Sequence, residues 1–135
     1  MKKLIVALAG MLVGGLVHAD SLVGVDKMLC ATVQVQICVE QDTCYEATAN
    51  ELDIPNFVVI DTKKKRISTT KASGENRSST FTSVQRADGL IFLQGSENGR
   101  AFSFIIEEIS GRVTVAVARD GAAVNVFGAC TSVDL

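Results

Sequence analysis

Hydrophobic and polar residues alternate through most of the second half of the chain. The apolar members are Phe102, Phe104 and Ile106 in one segment and Val113, Val115 and Val117 in the next. Ser103 and Thr114 fall on the opposite faces of these segments. A period of two is typical of β-strands that bury one face. The segments are therefore predicted to be strands with one face in a core.

Four glycine-containing pairs separate these strands at nearly even intervals. They are Asp88-Gly89, Asn98-Gly99, Ser110-Gly111 and Asp120-Gly121. Asn-Gly and Asp-Gly between apolar runs are strong hairpin signals, because both central residues of a type I′ turn need positive φ. A further hairpin is predicted from 56–61 and 66–69, with Pro55 at its entrance, where a missing N–H does least harm. The polar stretch 71–79 is predicted to be a mobile surface loop.

Eight or nine short strands and no long helix predict an all-β fold. The favoured architecture is a single antiparallel meander of 8–9 strands closing into a small barrel, because even turn spacing makes sequence neighbours spatial neighbours. A two-sheet β-sandwich is the alternative. Segment 21–29 is compatible with either a helical turn or an extended lead-in.

The four cysteines are best explained as two disulfides. The pattern from 30 to 40 puts Val33, Val35, Ile37 and Val39 on one face and Cys30, Gln34, Gln36 and Cys38 on the other. Within one straight strand Cys30 and Cys38 are too far apart to bond. The polar residues 40–43 predict a hairpin that sets Cys38 opposite Cys44, which leaves Cys30 for Cys130. Spacing alone still allows three pairings.

The Cys30–Cys130 bridge raises a geometric difficulty for a barrel. Cys30 begins the first long strand and Cys130 nearly ends the last. We expect antiparallel pairing of straight, fully overlapped strands to place these cysteines at opposite ends of the shared seam. The bridge would then need a stagger, a parallel closure or a lead-in that folds back.

Residues 1–19 have the layout of a bacterial secretory signal peptide. Lys2 and Lys3 precede an apolar run, 4–17, and the pattern Val17-His18-Ala19 is typical of a cleavage site. The apolar run is shorter than the roughly 20 residues that span a bilayer. Cleavage near Ala19 would leave 20–135 as one disulfide-stabilised β domain, periplasmic or secreted, where disulfides persist.

Composition then excludes several function classes. Without Lys2 and Lys3 the domain has 11 basic and 15 acidic residues, a net charge of −4, which disfavours nucleic acid. The only histidine, His18, lies in the leader, so neither a Ser-His-Asp relay nor a histidine-containing zinc site is available. Adjacent Glu107 and Glu108 point to opposite faces of a strand and cannot flank one glycosidic bond; we expect a solvated strand end there. We predict no enzyme, no metal and no cofactor.

The run Lys63, Lys64, Lys65 and Arg66 is the most polarised feature of the sequence. Residues 62–77 hold six basic residues and one acidic residue. One hypothesis is a tip that contacts an anionic surface or an acidic protein. We favour a solvated hairpin tip, where lysines discourage pairing with other chains, because no aromatic residue interrupts the run.

Three stretches, IPNFVVID, GLIFLQGSENGRAFSFIIEEISGRVTV and FGACT, resemble small secreted proteobacterial β-rich proteins whose function is not established. The size, leader and disulfides also resemble those of periplasmic lysozyme inhibitors, but that family's inhibitory motif is not found, so no residue role transfers.

These features predict an exported, non-catalytic binding or interaction protein of the bacterial periplasm that acts through loops such as 40–43 or 71–79. One alternative is a lipocalin-like carrier of a small apolar ligand, with a cavity of about 300 Å³ or more. The other is an inhibitor of an extracellular hydrolase such as lysozyme. The phenylalanines expected in the core are Phe57, Phe81, Phe92, Phe102 and Phe104.

Overall fold

The computed structural model describes residues 21–133, which form ten β-strands and two short 3-10 helices; the predicted signal peptide lies outside this range. The strands are β1 (Lys27–Val39), β2 (Tyr45–Ala47), β3 (Phe57–Asp61), β4 (Arg66–Thr69), β5 (Ser78–Thr80), β6 (Ser83–Ala87), β7 (Leu90–Glu97), β8 (Arg100–Glu107), β9 (Arg112–Arg119) and β10 (Ala122–Ser132). The 3-10 helices are Asn50–Leu52 and Lys71–Ser73. No α-helix occurs in the described range.

Nine of the strands form one antiparallel sheet in the order β5-β4-β3-β1-β10-β9-β8-β7-β6, and β2 pairs with the second half of β1. The sheet curls strongly into a half-barrel. Its terminal strands, β5 and β6, are separated in the chain only by Phe81 and Thr82. The N–H of Phe81 donates to the carbonyl of Lys65 (2.7 Å), and the N–H of Thr82 donates to the carbonyl of Gln94 (2.8 Å). The predicted single antiparallel β-structure that curls on itself is confirmed.

Both disulfides join the predicted cysteines. Cys30 of β1 lies directly opposite Cys130 of β10, and Cys38 bonds to Cys44 across the β1–β2 hairpin. The expected geometric difficulty was wrong, because antiparallel pairing sets the first residues of one strand beside the last residues of its neighbour. No stagger or fold-back is needed.

A β-bulge at Val33 interrupts the register between β1 and β10. Thr32 pairs with Gly128 and Gln34 pairs with Phe127, so Val33 has no partner in the ladder. An extra residue in one strand shifts the following side chains to the other face of the sheet.

The bulge changes which residues of β1 reach the core. Cys30 and Val35 both face inward, with 4% and 2% of their surfaces exposed, whereas Val33 is 76% exposed. Two predictions were therefore wrong: Val33 does not share the buried face of Val35, and Cys30 does not share a face with Cys38. Strict alternation fails here because it assumes an unbroken strand.

The core fills the concave side of the sheet. Its largest fully buried side chains are Leu22, Met28, Val35, Ile60, Phe81, Ile91, Leu93 and Ile106. Phe81, Phe102 and Phe104 pack edge to face, with ring centroids 5.4 to 6.1 Å apart. The core prediction was wrong for Phe57, which is 51% exposed, and Phe92 lies on the outward side of β7.

The segment 21–26 is a lead-in that closes one end of the half-barrel and turns at Val23 and Gly24, where the N–H of Val25 donates to the carbonyl of Leu22 (3.0 Å). Leu22 is fully buried, and its N–H donates to the carbonyl of Glu108 (2.7 Å). The guanidinium of Arg86 donates to the carbonyls of Leu22 and Val25 and lies 3.6 Å from the Glu108 carboxylate. Glu108 is 7% exposed, so the expectation of a solvated strand end was wrong for this residue.

Candidate binding groove

A groove lies on the outward side of β1, β3 and β4, and two cross-strand rows form its floor. The first row is Leu29, Val59 and Ser68, and the second is Lys27, Asp61 and Arg66. Side chains alternate between the two sides of a strand. The first row is therefore outward and largely apolar, and the second is outward and charged.

The walls of the groove come from two further segments. After Thr69 the chain leaves β4, and Thr70, in extended conformation, begins the 3-10 helix Lys71–Ser73. Lys71 and Ala72 of this helix line one side. Val133 lines the groove as well, and its N–H donates to the carbonyl of Lys27 (3.2 Å). The volume of the groove, which is open to solvent on one side, is about 650 Å³.

The groove is strongly basic for a chain of net charge −2. Its lining contains the cations Lys27, Lys64, Arg66 and Lys71, against one carboxylate, Asp61. Asp61 accepts a hydrogen bond from the N–H of Lys64 (3.0 Å), and Arg66 donates to the hydroxyl of Ser78 (3.1 Å). Within residues 21–133, none of the four cations is in an ion pair. Four cations around an apolar floor can hold an anionic group whose apolar part lies on Leu29 and Val59.

Only two of the four residues in the basic run Lys63 to Arg66 line the groove. Lys64 and Arg66 line the groove. Lys63 instead points to Asp26, with 3.5 Å between ammonium and carboxylate. Lys65 has positive φ, 51°, at the end of the turn and does not line the groove.

The pKa of Asp26 is held below its ordinary value. The largest cause is the hydrogen bond from the hydroxyl of Thr62 (2.9 Å), and the positive charges of Lys63 and Arg86 act in the same direction. Lys63 therefore lies beside the lead-in at Asp26 and is not among the residues that line the groove.

Known proteins give no guide to this site. No protein-family model, curated protein sequence or solved structure matches the chain. The resemblance to small secreted proteobacterial proteins stays a prediction, and the groove must be interpreted from its own chemistry.

The interior of the half-barrel offers much less space than the groove. A cleft of about 180 Å³ opens at the end opposite Leu22. Phe102, Phe104 and Val117 line it, with Arg77 and Arg100 at its rim. This volume is smaller than the roughly 300 Å³ expected for a carrier of a small ligand.

Of the two loops predicted to carry function, one contributes to the groove. Segment 71–79, predicted to be a mobile surface loop, contains the 3-10 helix Lys71–Ser73 and the first residues of β5. It supplies Lys71 and Ala72 to the groove wall. Segment 40–43, inside the Cys38–Cys44 bridge, does not line the groove.

Other chemistry is sparse in the part of the chain that the structure describes. Residues 21–133 contain no group of three or more His, Cys, Asp or Glu residues placed to hold a metal ion. All four cysteines are in disulfides, which suggests an oxidising, exported environment. Over the same residues, no helix is long and apolar enough to cross a membrane.

Sequence reasoning missed the floor of the groove. Leu29 was placed only in the lead-in 21–29 and Val59 only in a predicted strand, and Val133 was assigned to no element. The signal that was present is the uninterrupted apolar run 57–60, because consecutive apolar residues on a strand make both of its faces apolar. Lys71 belongs to the basic span 62–77 noted in the sequence, but Lys27 carried no sequence signal, since it reaches the groove only through the fold.

Proposed function

We propose that the protein is an exported, non-catalytic binding protein and that its groove binds an amphipathic anion. The observation that carries this proposal is the combination of an apolar floor with four cations that form no ion pair with any residue between 21 and 133. A ligand with one anionic headgroup and one acyl chain matches both features, because its charge would meet the cationic rim and its chain would cover Leu29 and Val59.

Electrostatics supports an anion over a neutral ligand. Counted over the described residues that line it, the groove carries a net charge of +3, whereas the whole chain carries −2. A concentration of one charge sign in a concave surface raises the local concentration of counter-ions. Binding in such a partly exposed site should weaken as salt increases.

The size of the groove supports a single-chain ligand. A volume of about 650 Å³ falls within the 300 to 1,000 Å³ typical of small-molecule sites. The interior cleft of about 180 Å³ gives less support to the lipocalin-like alternative. Inhibition of an extracellular hydrolase stays a prediction that no feature of the groove favours.

The test compares three soluble probes below their micellar concentrations by titration calorimetry. Lysophosphatidylglycerol has an anionic headgroup and one acyl chain, lysophosphatidylcholine has the same chain with no net charge, and glycerol 3-phosphate has the anion alone. We expect binding of the first probe and at least about tenfold weaker binding of the second, because one charged contact contributes about 1.5 kcal/mol. The third probe should also bind more weakly than the first, because it has no acyl chain to cover Leu29 and Val59.

A matched pair of double variants locates the site. Lys64→Ala with Arg66→Ala removes two groove cations, and Lys63→Ala with Lys65→Ala removes two cations of the same turn that face elsewhere. Only the first pair should weaken lysophosphatidylglycerol binding. Equal losses of lysophosphatidylglycerol affinity in the two double variants would show that binding depends on the charge of the whole hairpin tip and not on the groove. Equal affinity of the wild type for both lysolipids would overturn the proposal that the ligand is anionic.

A further inference from the structure

The apolar floor of the groove continues beyond Val59. Phe57 lies two residues before Val59 on the same outward side of β3, and its cross-strand partner on β1 is Ala31. This third outward row follows the row of Leu29 and Val59 in the direction away from the charged row. Phe57 is 51% exposed, so its ring is available to a ligand that lies along the floor.

A second cavity, which we call the Phe57 cavity, adjoins the groove at this end. Its volume is about 420 Å³, and it is open to solvent on one side. Thr70 and Ala72 line both the groove and the Phe57 cavity, so the two spaces meet at these residues. The apolar part of the second lining consists of Ile54, Pro55, Phe57 and Ala72. A chain that follows the floor past Val59 therefore enters the Phe57 cavity.

Hydrogen bonds within the chain hold the walls of the Phe57 cavity. Thr32 of β1 donates its N–H to the carbonyl of Asn56 (2.9 Å) and its hydroxyl to the carbonyl of Pro55 (3.1 Å). On the opposite side, the hydroxyl of Thr69 donates to the carbonyl of Glu75 (3.0 Å). Small-molecule sites are usually formed before the ligand binds, and these contacts give the cavity such a preformed shape.

The two ends of this apolar track differ in charge. The groove has four cations, whereas the described residues that line the Phe57 cavity include the carboxylates Asp53 and Glu75 and no lysine or arginine. Arg77 lies 3.6 Å from Asp53 and 3.8 Å from Glu75, so one cation faces two carboxylates. An anionic headgroup is attracted to the groove and repelled from the Phe57 cavity. The charges therefore set the direction in which an amphipathic anion lies along the track.

We infer that the acyl chain of the ligand runs from the groove over Leu29 and Val59 to Phe57 and ends in the Phe57 cavity. This inference rests on the proposed function and adds the class of ligand, an anion with one long alkyl chain. Asp61 and Phe57 are four positions apart in β3, a distance of about 13 Å. An extended alkyl chain advances about 1.25 Å per carbon. About ten carbons therefore reach the ring, and longer chains fill the cavity.

Titration calorimetry with a series of lysophosphatidylglycerols tests the path of the chain. The octanoyl, decanoyl, dodecanoyl and tetradecanoyl probes are used below their micellar concentrations. Affinity should rise by about two- to fourfold per methylene up to the tetradecanoyl probe, because each added methylene is buried. A plateau beyond the decanoyl probe would overturn the inference, since the chain would then end in the groove or in solvent. Failure of every probe to bind would instead overturn the proposed function on which the inference rests.

Phe57→Ala should separate long chains from short ones. It should lower affinity for the tetradecanoyl probe by about tenfold and leave affinity for the octanoyl probe unchanged, because only the longer chain covers the ring. Phe127→Ala is the matched control, since Phe127 is 41% exposed on the outward side of β10 and lines neither space. The control should change neither affinity. Equal effects of Phe57→Ala on both probes would overturn the inference.

A nitroxide at the end of the tetradecanoyl chain locates that end without a variant. Paramagnetic broadening falls steeply with distance from the nitroxide. Among the amide resonances of the track, those of Asn56, Phe57 and Ser73 should broaden most and those of Lys27 and Lys64 least. The opposite order would mean that the chain lies in the reverse direction, and equal broadening would mean that it has no fixed direction. Either result would overturn the inference.

Discussion

Cys30 and Cys130 lie directly opposite each other in neighbouring antiparallel strands, with their α-carbons 4.0 Å apart. The two residues are 100 positions apart in the chain. β1 and β10 pair over nearly their full lengths around this bridge. The covalent bond therefore fixes the one strand pair that joins the beginning of the domain to its end.

The two disulfides should contribute unequally to stability. In the chain-entropy account, closing a loop of about 100 residues contributes about 4 to 5 kcal/mol and closing a loop of six about 2 kcal/mol. Cys30→Ser with Cys130→Ser should therefore lower the free energy of unfolding by about twice as much as Cys38→Ser with Cys44→Ser. Urea denaturation of the two double variants measures the difference. Equal losses would mean that loop closure does not govern the effect.

Much of the fold was predictable from the sequence because hairpins are local. The pairs Asn98-Gly99 and Asp120-Gly121 sit at turns between neighbouring strands, and alternation assigned the buried face of β8 and β9. The pairing of the first strand, β1, with the last, β10, was predicted from the cysteines, because assigning Cys38 to Cys44 left Cys30 for Cys130. The groove could not be predicted in this way, because Leu29, Val59 and Lys71 meet only after the sheet has curled.

The bulge in β1 is the clearest case in which sequence reasoning failed. A sequence signal did exist, since Gly128 lies opposite Thr32 and a Cβ on Gly128 would overlap the carbonyl oxygen of Ala31. Glycine inside a strand often marks a bulge or a close backbone approach. Without a known partner for Gly128, that signal could not be assigned to a position in β1.

The bulge predicts that two valines placed on the same face by simple alternation, Val33 and Val35, contribute very differently to the free energy of unfolding. Val35→Ala should cost about 2 kcal/mol, because it removes buried methyl groups and leaves a cavity. Val33→Ala should change the free energy of unfolding by less than about 0.5 kcal/mol, since the side chain is mostly in solvent. Urea unfolding of both variants is the measurement. Similar losses at the two positions would place Val33 in the core and remove the bulge.

Gly111 should tolerate substitution less well than other turn glycines. Gly111 has positive φ, 75°. A Cβ at this position would overlap the carbonyl oxygen of Cys130. The two residues are held close together because the N–H of Cys130 donates to the carbonyl of Gly111 (2.7 Å). Gly111→Ala should destabilise by about 2 to 4 kcal/mol. Gly99→Ala is the control, because it has similar φ with no atom near the new Cβ, and should cost about 1 kcal/mol. Thermal unfolding compares the two, and equal shifts in Tm would rule out the overlap at Cys130.

Arg86 should stabilise the closed end of the barrel. Arg86→Leu would leave the buried carboxylate of Glu108 without its cation and the carbonyls of Leu22 and Val25 without this donor. Loss of one partner of a buried pair is strongly unfavourable, but Arg86 is partly exposed, so we expect a cost of about 2 to 3 kcal/mol. Arg119→Leu, at an exposed arginine outside the ion pairs of the described chain, should be nearly neutral. Hydrogen exchange should also show faster opening of Leu22 in Arg86→Leu only.

The acid sensitivity of the domain should depend in part on Asp26. Its pKa is lowered in the folded protein, first by the Thr62 hydroxyl and then by Lys63 and Arg86. A carboxyl whose pKa is lower in the folded than in the unfolded state contributes stability above its unfolded pKa, and this contribution is lost as the pH falls through the folded pKa. We therefore expect the difference in unfolding free energy between wild type and Asp26→Asn to be constant near neutrality and to shrink below about pH 4.

Urea unfolding at a series of pH values measures this difference directly. Asp88→Asn, at an exposed turn carboxylate without an ion pair in residues 21–133, is the matched control and should leave the free energy of unfolding nearly unchanged. Thr62→Val should reduce the difference near neutrality, because it removes the hydroxyl that donates to the ionised carboxyl of Asp26. A wild-type advantage over Asp26→Asn that grew on acidification would mean that the carboxyl is stabilised in its protonated form, opposite to the effect of Thr62 and Lys63.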